Sequence, residues 1–376
     1  MAVAGRAVDI GTDSAAEALH TAGFVRLFVT PDTDSIAAAG LLGRTLAERG
    51  TPFQASVVTE HDEPETDDET TVVVGFDDVD AVSFPGDERP ASERAFETAH
   101  ALDADPDPVL ALAGAFDTPS DFEDGDAFET ARERGRIQRR PGVAIPVADP
   151  IDGLCHTALA HAPFSGDSEA TATALDEIDF DDDRRRVASV LALSVCKDST
   201  PRAADAIERA LGPYTIESTD DRETPTVTFE TVGGFADVLR ASARERPGIA
   251  LALALGHDVR EPALSAWRTH TERAHRALDE ATTERHRGLF VARVDVDASL
   301  STVARLLYDF RSPEPVAVAV SGERAAAATA DNADLGERMA EAGAVADGSG
   351  GGNERRGWAR FPDPDRFVTA LREALA

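Results

Sequence analysis

The chain has 376 residues, a formal charge of −33 and a pI near 4.5, and its basic residues are arginines apart from the single lysine, Lys197. Two cysteines, Cys155 and Cys196, exclude a disulfide framework or a zinc ribbon, and no apolar run approaches the roughly 18 residues of a spanning helix. So acidic and lysine-poor a surface suits a protein hydrated in molar salt, where the Debye length shrinks to about 3 Å; net charge then ceases to report the partner.

In chain order, residues 25–29 read as a strand and 35–48 as the helix after it, stopped by Gly50. Residues 53–58 and 71–76 read as further strands, so 24–150 alternates strand and helix as a parallel sheet with crossover helices does. The charged stretch 61–69, His61 included, has no ligand spacing and reads as a solvated loop. Residues 120–140 read as a surface insertion. Its Arg132, Arg134, Arg136, Arg139 and Arg140 could meet phosphates, but pairing with Asp121, Glu123, Asp124 and Asp126 is the preferred reading.

Residues 168–211 are expected to be helical, with an apolar face along 184–195. Val232-Gly233-Gly234 opens another helix, where packing explains the glycine pair better than a phosphate does, and 249–255 is a buried strand or helix. A strand at 288–297, a helix at 302–310, a strand at 316–321, a helix at 332–342, the glycine run 348–352 and a terminal helix suit a small α/β domain bearing a phosphate loop. His156 and His161 are assigned to local helix packing. His270 and His275, spaced i, i+5, stand about 140° apart on a helix and with His286 read as a solvated surface. Chain length calls for two domains, and an N-terminus without a signal-like apolar core calls for a soluble, cytoplasmic protein with no membrane partner.

The run Thr30-Pro31-Asp32-Thr33-Asp34-Ser35 carries the most chemistry. Two carboxylates spaced i, i+2 after a strand can turn toward one hard cation, and Ser35 can cap the following helix. A histidine two residues before Asp32 would complete a mixed nitrogen and oxygen site for Mn²⁺, and Thr30 stands there instead.

This run is similar to the first motif of the DHH phosphoesterase superfamily, His-x-Asp-x-Asp-Gly/Ser at the end of the first strand. The resemblance extends through Asp152-Gly153-Leu154-Cys155-His156-Thr157 and His161-Ala162-Pro163-Phe164-Ser165-Gly166-Asp167, which look like the middle of RecJ-like proteins of halophilic archaea. It reaches Gly350-Gly351-Gly352-Asn353-Glu354-Arg355-Arg356-Gly357, where the family has a Gly-Gly-His phosphate loop. The Asp-His-His triplet that names the superfamily is absent; residues 81–90 stand in its place without a histidine. The second-strand aspartate is either Asp77 or Asp78, and a fourth is Asp117.

The resemblance implies an α/β fold: a Rossmann-like parallel-sheet DHH domain (1–180), a helical connector and start of the second lobe (181–280), and a smaller C-terminal α/β DHH-associated domain (281–376). It implies metal ligation by Asp32, Asp34, Asp77 and Asp117, reduced by the missing imidazoles to at most one weak Mn or Mg. It implies nucleic-acid or phosphate binding by Gly351, Gly352, Asn353, Arg355 and Arg356. The function implied is that of a RecJ-like protein of replication or repair which binds single-stranded DNA or RNA. Its phosphodiesterase activity would be weak or lost, and it would serve as a scaffold with GINS and MCM proteins as partners. The alternative is an active Mn-dependent single-strand exonuclease or small-oligonucleotide phosphodiesterase.

Overall fold

A computed structural model describes residues 12–58, 70–78, 80–86, 89–116, 123–176, 184–197, 200–217, 229–295, 297–331 and 333–375. The charged stretch 61–69, Asp117 and Asp121 lie outside the described residues. By its internal contacts the chain forms two compact units, one of residues 1–140, 144–147 and 213–267, the other of 141–143, 148–212 and 268–376. Boundaries at 180 and 280 do not coincide with this division.

The first unit opens with α1 (Thr12–Thr21), β1 (Val25–Val29), α2 (Thr33–Arg49), β2 (Phe53–Val57), β3 (Thr70–Val74) and β4 (Val82–Phe84). The four strands form one parallel sheet in the order β2-β1-β3-β4. β1 is followed by β2 on one side and by β3 on the other, so the order reverses at the carboxyl end of β1. In open parallel sheets that reversal is where ligands bind. α2 is buried along most of its length, from Ile36 to Leu46, as an apolar-all-round helix must be. It ends where Gly50 turns left-handed at φ 73° and donates to Ala47 and Leu46 carbonyls, the stop read from sequence.

α3 (Ala91–Ala101), α4 (Pro108–Ala115), α5 (Asp126–Glu133) and β5 (Ile137–Arg139) follow. The expected surface insertion is therefore corrected in part: α5 sends Ala127, Phe128 and Ala131 into the core. Its short length and charged outer face hid that apolar side. Arg134 pairs with Asp105, Arg139 with Glu123 and Arg140 with Glu217.

In the second unit come α6 (Pro150–His156), α7 (Ser168–Leu175), α8 (Arg184–Cys196) and α9 (Pro201–Glu208). The chain then returns to the first with β6 (Tyr214–Ile216), antiparallel to β5, and with α10 (Val232–Glu245) and α11 (Pro247–Ala254). Gly233 and Gly234 lie against Phe116, Ala144 and the Ile145 backbone, so packing does account for the pair. α12 (Arg260–Asp279) spans the division between Trp267 and Arg268.

The rest of the second unit is β7 (Thr282–His286), β8 (Leu289–Arg293), α13 (Leu300–Phe310), β9 (Val316–Ser321), β10 (Arg324–Ala328), α14 (Leu335–Val345), β11 (Ser349–Gly352), β12 (Arg356–Arg360) and α15 (Pro364–Ala374). Its six strands run β11-β12-β10-β9-β8-β7, antiparallel except for β8 with β9. One face, with Val316, Val318, Val320, Ala325 and Ala327, shares a core with Met339 of α14 and Phe367 and Leu371 of α15. α13 covers β9 and β10. Arg202 of α9 binds the carbonyls of Tyr308, Ser312 and Glu314 and lies 4.2 Å from the Tyr308 ring centroid, which ties residues 148–212 to this unit.

Candidate functional site

At the β1–α2 junction Thr30 continues the ladder by donating its N–H to Val74 of β3, and the chain then turns into α2. Asp32 is the N-cap in extended geometry, φ −126° and ψ 167°, and accepts from the Ser35 N–H at 2.9 Å. Its other oxygen lies 2.5 Å from the Thr30 hydroxyl and 2.8 Å from that of Ser35, and the two hydroxyls are 2.8 Å apart. Gly75, at φ 93°, closes the network: a Cβ there would overlap both hydroxyls. Where a metal motif needs an imidazole, this chain has a threonine whose hydroxyl is turned onto the first carboxylate.

Asp34 faces another way. Its Oδ2 accepts from the Ala91 N–H at 2.6 Å, and its Oδ1 accepts from the Ser92 N–H at 2.9 Å and the Ser92 hydroxyl at 2.5 Å. α3 begins there behind Pro90, which has no side chain to cap it. Helix amides left without an intrahelical acceptor need one, and Asp34 supplies it from α2. Burial raises the Asp34 carboxyl to about 7, with the charge of Asp32 adding to the shift and the donors of Ser92 and Ala91 opposing it.

Asp77 is exposed beyond the end of β3. Asp78 accepts from its own neighbourhood, the Asp80 N–H at 2.9 Å. Among the described residues no three of His, Cys, Asp and Glu gather as metal ligands would. Asp32 and Asp34 spend their oxygens on helix caps and hydroxyls, so the described residues do not fit a two-metal centre.

The glycine run is a strand instead of a loop. β11 pairs with β12, and Asn353 opens the turn between them, its side-chain oxygen accepting from the N–H groups of Arg355 at 3.0 Å and Arg356 at 2.9 Å. The first amides of α14, the groups that would hold a phosphate, are already bonded: Leu335 N–H to Glu354 O at 3.2 Å and Gly336 N–H to Asn353 O at 2.8 Å. Gly336, Gly343 and Gly350 let α14 approach β11, since a Cβ on any of them would strike the backbone of Gly352, Ser349 or Met339. Gly351 and Gly352 lie in β11, with Arg355 partly exposed in the turn and Arg356 exposed at the start of β12.

The solvated-surface reading of the later histidines is corrected. His270 and His275 are 1% and 0% exposed. Their 140° separation puts them on two sides of α12, and both sides are covered: His270 meets the Thr302 hydroxyl at 2.9 Å and His275 the Thr157 carbonyl at 3.0 Å. His286 lies in β7 beside Glu284. His161 stacks on His275, ring centroids 5.2 Å apart, with Nδ1 to Nδ1 at 3.0 Å. Arg311 donates to His161 Nε2 at 2.7 Å, so His161 donates from Nδ1 and His275 donates from Nε2 to Thr157. That one tautomer pattern satisfies four ring nitrogens with both rings neutral. Burial first, then the neighbouring His161, pushes His275 down to about 3; burial likewise lowers His161, with Asp279 opposing. His156 binds Asp152, which Arg268 holds on both oxygens. The period of α12 did carry a signal: His270 stands three residues after Trp267 and four before Ala274, and His275 three before Leu278, positions of buried apolar residues.

A family described as "Uncharacterized protein rrnAC1427, C-terminal domain" matches residues 281–373. The protein rrnAC1427 of Haloarcula marismortui is 44% identical over 371 residues, 96% of this chain and 95% of that one. The chain belongs to the rrnAC1427 family. This family's fold resembles CDC45 from Entamoeba histolytica, at TM-score 0.58 and 9% identity over 96% of this chain and 97% of that one. It also resembles an exonuclease RecJ bound to manganese, at TM-score 0.52 and 12% identity over 97% and 93%. RecJ from Thermus thermophilus with Mn²⁺ gives 0.52 at 14% identity, the chain covering 54% of that protein. The chain thus has a fold like that of RecJ and CDC45. Its acidity is in keeping with a relative from a Haloarcula.

Proposed function

We propose that the protein is a RecJ-like single-stranded nucleic-acid-binding component of replication or repair whose phosphodiesterase activity is weak or lost. The observation that carries this is the occupied motif. Asp32 and Asp34 sit at the sheet's switch point, as metal ligands should, yet their oxygens hold Thr30, Ser35 and the start of α3. Without imidazoles, the cation that RecJ carries in its manganese-bound form would here find at most one weak oxygen site, completed by Asp77 or Asp117. A chain that keeps the fold and loses the ligands is suited to holding a strand or a protein. On this reading the partners would be GINS and MCM proteins and the place of action the cytoplasm.

The test is hydrolysis of labelled single-stranded DNA and RNA in molar salt with Mn²⁺, compared with an Asp32→Ala, Asp34→Ala double variant. Binding without cleavage above the variant is expected. Robust cleavage abolished in the variant would establish the exonuclease or small-oligonucleotide phosphodiesterase instead.

A further inference from the structure

Helix α8 is a basic element in an acidic chain. Residues 184–197 hold Arg184, Arg185, Arg186 and the lone lysine, Lys197, and no carboxylate, whereas the whole chain has 70 acidic residues against 37 basic ones. Val187, Leu191 and Val195, at i, i+4 and i+8, are buried and define the inner face of the helix. At 100° per residue the outer face then consists of Arg185, Arg186, Ser189, Leu193 and Cys196, with Lys197 just past the helix end, and all six are exposed. Leu193 is 72% exposed, one of two large apolar side chains that stand out from the described surface. Its neighbours along the face, Ser189 four residues before and Cys196 three after, are too small to cover it.

Helix stability explains neither the charges nor the leucine. Arginines in a first turn oppose the helix dipole, which favours carboxylates there, and the first turn of α8 has no acidic residue. Among the described residues Arg184, Arg185 and Lys197 make no ion pair, whereas Arg134, Arg139 and Arg140 of the other dense basic cluster are paired with Asp105, Glu123 and Glu217. A single exposed leucine is ordinary by itself. Framed by cations at both ends of one helix face, it has the layout of a docking site, apolar at the centre and charged at the rim.

Charge complementarity calls for an anionic occupant. A phosphate backbone held by cations alone is released as salt rises, and this face has no aromatic ring on which a base could stack. An acidic protein segment satisfies both parts of the face, with carboxylates at the rim and an apolar side chain over Leu193. The apolar contact also keeps its worth in the molar salt that the composition suits, where charges are screened beyond about 3 Å. We propose that the outer face of α8 docks an acidic amphipathic helical segment of a partner protein, with an apolar side chain against Leu193 and carboxylates against Arg185 and Lys197. This rests on the scaffold part of the reading above and gives the partner its chemistry. The 13 residues of α8 extend about 20 Å, the length of a docked helix of three to four turns.

The test is fluorescence anisotropy of a labelled synthetic peptide, leucines on one helical face and glutamates on the other, against the full chain in about 1 M and about 3 M KCl. A scrambled peptide of the same composition, a counterpart with lysines for glutamates, and oligo(dT) run in parallel. The acidic amphipathic peptide should bind best, and Leu193→Asp should weaken it about tenfold or more at both salt concentrations. The double variant Arg185→Glu, Lys197→Glu should weaken it about threefold or more, with the larger effect at the lower salt, and should prefer the lysine counterpart. Melting curves check the fold, and the charge-swap variant carries the test if Leu193→Asp fails to fold. No binding of the acidic peptide by the wild type, equal binding of the scrambled one, or binding unchanged in both variants would overturn the docking face while leaving the function reading intact. Binding of oligo(dT) through these same residues would overturn it in favour of nucleic acid. A wild type that binds the acidic peptide but no oligo(dT) would support the docking face and overturn the nucleic-acid part of the function reading.

Discussion

Thr30 is one hydroxyl where a metal motif has a ring nitrogen, and that hydroxyl reorganises its surroundings. It turns Asp32 inward and, with Ser35, makes Gly75 obligatory. The sequence showed the substitution and Asp32 and Asp34 near it, but not that Asp34 caps a helix that begins at Ala91, since that contact joins residues 57 apart. His161 and His275 make the same point and carry a pH dependence. Their folded-state values lie below the ordinary histidine range, so the stability they hold is fully present above about pH 6.5 and is lost as pH falls toward 3. For one histidine the slope approaches 1.4 kcal/mol per pH unit. Asp34, raised to about 7, acts in the opposite sense, stabilising at low pH and losing that contribution as pH rises through 7. The readout is therefore the difference between wild type and His275→Leu in urea unfolding at pH 7.5 and 5.5. The wild-type advantage should shrink at the lower pH, and a pH-independent difference would exclude the neutral pair.

Elements with a strong local signal were legible. β1 matches its expected bounds, and α2 stops at Gly50. The glycine run was not, because glycine is the residue both of a loop and of a close helix crossing. The two roles make opposite predictions for a methyl group. Gly343→Ala places a helix-favouring residue inside α14, worth about 1 kcal/mol, but its Cβ would lie 2.6 Å from the Ser349 carbonyl oxygen. Overpacking of that kind costs about 1–3 kcal/mol, so the variant should melt lower than wild type. Gly248→Ala in α11, with open space around it, is the control and should be neutral or stabilising. β7 and β10, the hairpin partners of the expected strands β8 and β9, escaped the sequence reading because β7 is polar and β10 alanine-rich, and alanine is a weak strand signal.

At the scale of the molecule the charge of −33 outweighs any single ion pair. In molar salt its self-repulsion is screened over about 3 Å; at 0.1 M the range grows to about 10 Å. The melting temperature should therefore fall steadily as KCl is lowered from about 3 M toward about 0.1 M, with the fold unchanged until unfolding. A melting temperature that stayed level across this range would remove the halophilic reading of the composition. The division into units was hidden for a different reason: residues 148–212 and 268–376 are far apart in the chain and close in contacts.

By itself the sequence determined the first three strands of the first sheet with the helix after β1, and the acidic class of the surface. Those are properties of single residues or of short periods, and local chemistry fixes them. Only the tertiary structure decided what the carboxylates of Asp32 and Asp34 bind, where the histidines go, and that the glycines of β11 serve α14. Each of these is a pairing of groups distant in the chain. Such partners are chosen by burial and register, which no local pattern encodes.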